Sequence, residues 1–399
     1  MLRMIAMVSL LNNAARGSDP RTACASGARP ARTGAAYIRD GPTMTTLFDP
    51  LSIGDLHLPN RIVMAPLTRL RAPGNVANRL MAEHYVQRAT AGLIITEGTP
   101  VRDDGVGYQH VPGIWSQEQV DGWRLVTDAV HRAGGRIAAQ LWHVGRISHP
   151  ALLQGRQPVA PSAIAAEGHV SLLRPKQPYP VPRELALDEI PGIVDAFRQG
   201  ARNAKAAGFD GVTIHGANGY LLDQFLQDGT NHRTDAYGGS VENRARLMIE
   251  VIDAVLEVWA PNRVGLHLAP RSPSYSISES DPAGTFGYVA RAMGERKLGF
   301  LFIRETQGEG ALFSMLKREF GGVCIANDGF DAVSAADVVA RGEADAVSFG
   351  KAYIANPDLV DRLRRNAPLN ALDNATIYDL DHCSPVGYTD YPTLEMQAA

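Results

Sequence analysis

His215, Asn218 and Tyr220 lie within one short run, His215-Gly-Ala-Asn-Gly-Tyr220. An apolar stretch, Gly211-Val-Thr-Ile214, precedes them and reads as a buried strand. An imidazole and a carboxamide carry N–H donors that can polarise a carbonyl oxygen, and a phenol can give up a proton. At the point where a strand gives way to a loop, such a set could stabilise a developing negative charge and then protonate it. The chemistry depends on what shares that face of the fold.

The elements that must hold these residues repeat along the chain. Short apolar runs occur at Ile62–Ala65, Leu93–Thr96, Ile137–Leu141, Val212–His215, Val264–Leu268, Phe300–Ile303, Val323–Ala326 and Ala346–Phe349. Their largely continuous apolar character suits parallel strands buried on both faces. Between them runs helical periodicity: Val120, Trp123, Val126, Val130 and Ala133; Ile190, Ile193, Phe197 and Ala201; Leu247, Val251, Ala254, Val255 and Val258. Eight such units predict an α/β fold, a single (β/α)8 TIM barrel, preceded by a hairpin at Leu51–Asn60 with a Gly54-Asp55 turn. Active sites of these barrels sit at the C-terminal strand ends.

Several other strand ends carry polar or special residues. They include Thr68, Gly98, Gln140, Trp142, His267, Asn327-Asp328-Gly329 and Gly350-Lys351. The last two turns lead into helical stretches, where backbone N–H groups suit a phosphate. Each feature has a plainer reading. Gln140 alone is more often a core hydrogen-bonding residue, and Gly329 and Gly350 alone are turn glycines. The run His232–Arg244 reads equally as a salt-bridged loop with Ser240 as a helix N-cap. The convergence of many such residues on one end of one barrel favours a site. The proline-rich connection from His143 to Arg183 is long enough to be functional.

Composition narrows the classes. A net charge of −3 on 399 residues gives no sign of a nucleic-acid partner. No apolar run approaches the length of a membrane span. Cys24, Cys324 and Cys383 are far apart and follow no metal spacing, which fits a reducing, cytoplasmic setting. Residues 1–43 hold six arginines and two aspartates, a charge of +4, so residues 44–399 carry −7. This segment is expected to be a disordered tail, and 44–399 the folded domain. A metal-dependent barrel hydrolase is a competitor from another class, but the strand ends show no H-x-H pair and few acids.

At these residues the chain resembles the old yellow enzyme family of FMN-dependent ene-reductases. The matching stretches are Asn60-Arg-Ile-Val-Met-Ala-Pro-Leu-Thr68-Arg, Gln140-Leu-Trp-His-Val-Gly-Arg146, His215-Gly-Ala-Asn-Gly-Tyr-Leu-Leu-Asp-Gln-Phe225, Arg233-Thr-Asp-Ala-Tyr-Gly-Gly-Ser-Val-Glu-Asn-Arg244, Asn356-Pro-Asp-Leu-Val-Asp-Arg-Leu363 and Gly387-Tyr-Thr-Asp-Tyr-Pro392. The resemblance implies that Ala65, Pro66, Leu67 and Thr68 line the flavin, and that Gly98 and Gln140 meet its polar edge. It implies that His215 and Asn218 bind the substrate's activating oxygen and that Tyr220 protonates the product. Trp142 and Tyr378 would shape the substrate pocket. Asp328, Gly329, Gly350 and Lys351 would form the phosphate turns.

The implied activity is reduction of activated C=C bonds by NADPH or NADH through FMN, in ping-pong fashion. The partners would be a small-molecule activated alkene and a nicotinamide, with no nucleic acid and no membrane. Reduction of nitrate esters or nitro compounds on the same flavin is the alternative. The chain departs from the family pattern in three places. His267-Leu-Ala-Pro270 stands where the family has Arg-x-Ser-Pro, with Arg271 just beyond as a possible substitute. Lys351 replaces an arginine, and Asp328 brings a carboxylate to a phosphate turn, where only its backbone N–H is expected to serve.

Overall fold

The computed structural model describes residues 44–379 and 383–398; the expected tail, 1–43, lies outside them. Two short strands, β1 (Leu51–Ile53) and β2 (Leu56–Leu58), pair antiparallel as the expected hairpin. Barrel strands β3 (Ile62–Met64), β4 (Leu93–Pro100) and β5 (Ile137–Trp142) follow. Strands β6 (Val159–Ala160) and β7 (Arg183–Glu184) form a separate two-stranded sheet within the long connection. The barrel continues with β8 (Gly211–His215), β9 (Val264–Leu268), β10 (Phe300–Arg304), β11 (Val323–Asn327) and β12 (Ala346–Phe349). These eight parallel strands close in sequence order, with β12 pairing back to β3.

A helix or helix pair follows each barrel strand: α1 (Arg79–Val86), α2 (Gln117–Arg132), α3 (Ile190–Ala206), α4 (Leu221–Leu226) with α5 (Val241–Leu256), α6 (Pro282–Glu295), α7 (Phe313–Phe320), α8 (Ala332–Ala340), and α9 (Lys351–Ala355) with α10 (Leu359–Arg365). The apolar stripes read from sequence face the sheet: Val120, Trp123, Val126 and Val130 of α2 are buried, as are Ile190, Ile193, Phe197 and Ala201 of α3. Ala133, expected on the same face of α2, is instead its exposed C-cap. Caps set where helices start. Ser116 and Gln119 form a capping box on α2, and the Ser240 hydroxyl accepts from the Asn243 N–H on α5.

The barrel interior is packed rather than open. Leu51, Ile53, Leu56 and Leu58 of the hairpin join Val63, Leu93, Ile95, Phe300 and Ile325 of the barrel in one apolar cluster. The hairpin thus closes the N-terminal end. Each such buried side chain contributes about 1.5–3 kcal/mol. With that end sealed, access to the barrel is from the C-terminal face.

Strand β4 differs from expectation. It runs to Pro100 rather than ending at Thr96, with a register shift against β5 between Ile95 and Gly98. The irregularity brings Gly98 opposite Gln140 and Pro100 opposite Trp142. A side chain at position 98 would collide with the Trp142 ring: a Cβ built there lies 2.5 Å from Trp142 Cε3. The glycine is required by close approach, not by a turn.

Candidate active site

Two adjoining cavities occupy the C-terminal face, of about 540 and 470 Å³. They share Pro66, Leu67, Asn218 and Arg304 on their walls, so they form one elongated cleft. The larger is lined by Thr68, Gly98, Gln140, Trp142, His215, Tyr220 and Tyr378 among others. The smaller is lined by Ala65, His267, Asp328, Gly329, Gly350 and Lys351. The residues that the family resemblance implies for flavin, substrate and phosphate thus all lie on this cleft.

Register explains the grouping. Gln140 pairs with Gly98 on one side and Thr213 on the other, and His215 pairs with His267. The His215 and His267 rings lie 4.9 Å apart. Gln140 Nε2 donates to His267 Nδ1 at 3.2 Å, which leaves the neutral ring's proton on Nε2. That Nε2 is buried and has no protein partner, as is Trp142 Nε1. Such orphaned donors on a cavity wall suit a ligand with acceptor edges.

Beyond β8 the chain turns sharply. Asn218 and Gly219 both adopt left-handed backbone, with φ of 55° and 75°. Asparagine and glycine are the residues that do so at least cost. Asp223, wholly buried at the start of α4, accepts the Gly219 N–H at 2.9 Å and the Gln227 amide at 2.7 Å. Gln224 donates to the Gly219 carbonyl at 2.7 Å and to that of Val144 at 3.0 Å. The turn that presents Asn218 and Tyr220 is therefore pinned from both sides.

Trp142 is the hub of the aromatic wall. Its ring stacks near Tyr108 and His215 and meets Tyr220 edge-on at 4.8 Å. The Tyr220 hydroxyl lies 2.9 Å from that of Tyr108, which lies 2.7 Å from that of Tyr275. Burial, then the neighbouring Tyr275, pushes the Tyr220 phenol well above its ordinary value, so it stays protonated. Burial likewise pushes the His215 imidazole down to about 3 and His267 well below its usual range. Both rings are neutral near pH 7, and each offers one N–H.

Two further segments close over the cleft. Buried Arg146 donates to the carbonyls of Ile164 and Tyr275, tying the long connection to the loop after β9. Buried Arg69 and Arg71 hold the C-terminal segment. Arg69 donates to the carbonyls of Ile377 and Gly387, Arg71 to those of Thr376 and Val386, and both guanidinium groups sit over the Tyr388 ring. This grip brings Tyr378 to the cavity rim.

The structure corrects one sequence expectation. Arg271 does not turn inward: it pairs with Glu305 at 2.6 Å and donates to the carbonyls of Thr306 and Glu309. A carboxylate and two carbonyls of the next loop satisfy it, so it cannot stand in at His267. The Asp328 carboxylate faces Arg304, with Nε to Oδ2 at 3.4 Å. The run His232–Arg244 takes its plainer reading. Arg233 pairs with Asp235 and Glu184, and Arg244 with Glu279, away from the cleft walls.

Sequence reasoning missed Tyr108, Tyr275 and Arg304, all on the cleft. Arg304 was within reach. It is the last residue of β10, one position past the apolar run, and strand ends are where such side chains gather. Tyr108 lies in an irregular loop and Tyr275 in a single 3-10 turn, Ser274–Ser276, where no periodicity marks them.

The residues present fit a flavin mononucleotide. One lobe offers flat apolar walls with amide and imidazole donors. The other ends in glycine turns, a lysine and the start of α9, which suit a phosphate.

Comparison with known proteins agrees. A profile of the NADH:flavin oxidoreductase / NADH oxidase family matches residues 46–370. A probable flavin mononucleotide-dependent alkene reductase of Leishmania infantum is 44% identical, over 88% of this chain and 98% of its own. The structure of morphinone reductase in complex with tetrahydroNAD is 48% identical, with a TM-score of 0.84, covering 88% of this chain and 98% of that one. The old yellow enzyme homologue from Zymomonas mobilis is 43% identical, with a TM-score of 0.85, covering 88% and 100%. The chain belongs to the NADH:flavin oxidoreductase / NADH oxidase family, the old yellow enzymes, and is an FMN-dependent oxidoreductase that takes its electrons from a nicotinamide.

Proposed function

We propose that the chain is a cytoplasmic ene-reductase acting on alkenes conjugated to a carbonyl, imide or nitro group, with NADPH or NADH as the donor. The observation that carries this reading is the meeting of two neutral N–H donors and a protonated phenol in one buried lobe. A cytoplasmic setting draws support from the thiols of Cys324 and Cys383, both free. FMN, when bound, supplies the two-electron chemistry that links nicotinamide to alkene.

His215 and Asn218 donate hydrogen bonds to the substrate's activating oxygen. Charge grows on that oxygen as the β-carbon is reduced, so these contacts strengthen toward the transition state and lower the barrier. Before substrate arrives Asn218 is oriented by Arg304, and the His215 ring is packed against Trp142, Tyr220 and His267, which limits reorganisation during the reaction. Tyr220 then delivers its proton to the α-carbon. Tyr108 and Tyr275, hydrogen-bonded in series behind it, are placed to return that proton from the loop side. Trp142 and Tyr378 shape the lobe. Ala65, Pro66, Leu67, Thr68, Gly98 and Gln140 hold the ring of FMN, while Asp328, Gly329, Gly350 and Lys351 surround its phosphate.

The test is turnover by the purified protein. NADPH or NADH oxidation should depend on 2-cyclohexenone, N-ethylmaleimide or a nitro-alkene, with the saturated product recovered. Nicotinamide oxidation that yields no saturated product from any of the three would overturn the reading.

A further inference from the structure

Among the described residues, the two lysine or arginine side chains on the cleft walls are Lys351 and Arg304. Lys351 lines only the smaller lobe, beside the Gly350 turn. Arg304 lines both lobes and stands where they meet. It ends β10 and pairs in register with Asn327 of β11. Its Nη1 donates to Asn218 Oδ1 at 3.0 Å, and its Nε lies 3.4 Å from Asp328 Oδ2. Its side chain is 41% exposed to the cleft and solvent, so a ligand can reach it.

We infer that Arg304 is the fixed cation of this site, with two roles: it locks Asn218 as a hydrogen-bond donor, and it supplies the positive charge that β9 does not. This inference rests on the proposed FMN site.

The first role follows from valence. A carboxamide has one accepting oxygen and one donating nitrogen. With Oδ1 held by a guanidinium, the Asn218 group left free is Nδ2, a donor. Without Arg304 the amide could rotate and present its oxygen, which would repel a substrate oxygen. The left-handed backbone at Asn218 fixes where the amide starts; Arg304 fixes which way it faces.

The second role follows from charge. A flavin ring that accepts two electrons and one proton gains a negative charge. The ring therefore becomes easier to reduce beside a cation. On β9 the nearest candidate is His267, whose ring is buried against Phe302 and hydrogen-bonded to Gln140. Burial, with His215 and Arg304 beside it, keeps that ring neutral. Arg271 is engaged elsewhere. An arginine is permanently charged and gives a planar, two-sided contact. Asp328 offsets part of this charge, and its turn orients the guanidinium.

The measurements are made on FMN-loaded protein. They are the midpoint potential, the affinity for sulfite, and the affinity for a substituted phenol. Sulfite adds to the flavin ring and leaves negative charge on it, so it reports the cation. A phenolate reports the donors. Arg304→Met should lower the potential and weaken both affinities by about tenfold or more, the size of one charge-assisted contact. Adding His267→Arg to Arg304→Met should restore the potential and sulfite affinity but not phenol binding, because Asn218 stays free to rotate. Arg304→Gln serves where the methionine variant fails to hold flavin: it should lower the potential and sulfite affinity as the methionine does, while its amide N–H can still hold Asn218 Oδ1 and spare phenol binding. Flavin-loaded Arg304→Met with unchanged potential and phenol affinity, or Arg304→Gln with unchanged potential, would overturn the inference. Failure of the unmodified protein to bind FMN at all would instead overturn the site reading beneath it.

Discussion

At the scale of single residues, the chemistry turns on protonation states that burial imposes. His215 is pushed down to about 3, and the Tyr220 phenol well above its ordinary value. Neither therefore changes charge in the neutral range. The rate of enone reduction at saturating flavin should be flat from about pH 5 to about pH 8, against the step near ~6.5 that an unperturbed imidazole would give. A fall in rate centred near that pH would show that His215 acts as a cation. Asn218→Ala should slow flavin reoxidation by enone by about 10²–10³, the usual effect of losing one such donor. Stopped-flow absorbance of the flavin measures it. His215, Asn218 and Tyr220 were legible because a continuous apolar strand ended on them. Arg304 was legible as a strand-end residue after Phe300–Ile303, but its role was not. Its meaning appears only when Asn218 and Asp328 arrive from β8 and β11.

At the scale of elements, the turn between β8 and α4 carries the site, and Asp223 carries the turn. Asp223→Ala leaves the Gly219 N–H and the Gln227 amide without their acceptor. Each buried donor left unsatisfied costs about 1–3 kcal/mol. Denaturant unfolding should show a loss of that order, together with weaker phenol binding as Asn218 loses its frame. Unchanged stability would mean that Gln224 alone holds the turn. The eight strands and helices α2, α3 and α5 were legible from apolar runs and 3.6-residue periodicity. The extension of β4 to Pro100 was not, because Glu97, Gly98 and Thr99 break the apolar run. Tertiary contact accounts for it: Gly98 is accepted into the strand because the Trp142 ring packs against its missing side chain. The grip of Arg69 and Arg71 on the C-terminal segment was also invisible, since it links positions some 300 residues apart through backbone carbonyls.

At the scale of the molecule, buried ionisable groups of opposite sense set the acid limit. Burial raises Glu97 and Asp223 to about 7, a contribution to stability that is complete below their unfolded values and lost as pH rises through about 7. His84, His215 and His267 are depressed by burial. Their contribution is complete above about 6.5 and lost as pH falls toward their folded values. The two sets change in opposite directions between about pH 4.5 and 6.5. Below about pH 4 the carboxylates gain nothing more while the histidines continue to lose. The melting temperature should therefore vary little from about pH 5 to 8 and drop steeply below about 4. A steady decline beginning at neutral pH would show that the carboxylates are already ionised in the fold and offset nothing. Removal of residues 1–43 should leave FMN content and rate unchanged, because every residue of the cleft lies beyond Met44.

The central claim is that one lobe activates the alkene with His215 and Asn218 and protonates it with Tyr220, as separable tasks. The most direct measurement compares Tyr220→Phe with the unmodified protein in three anaerobic stopped-flow reactions: flavin reduction by NADPH, reoxidation by 2-cyclohexenone, and reoxidation by a nitro-alkene. Loss of a general acid typically costs about 10²–10⁴ in rate. Separate roles predict a loss of that size with cyclohexenone alone. Flavin reduction and nitro-alkene reoxidation should be nearly unchanged, since a nitronate can leave without the phenol's proton. Equal slowing of flavin reduction and of cyclohexenone reoxidation would contradict separate roles, and would make Tyr220 a structural member of the Trp142 wall.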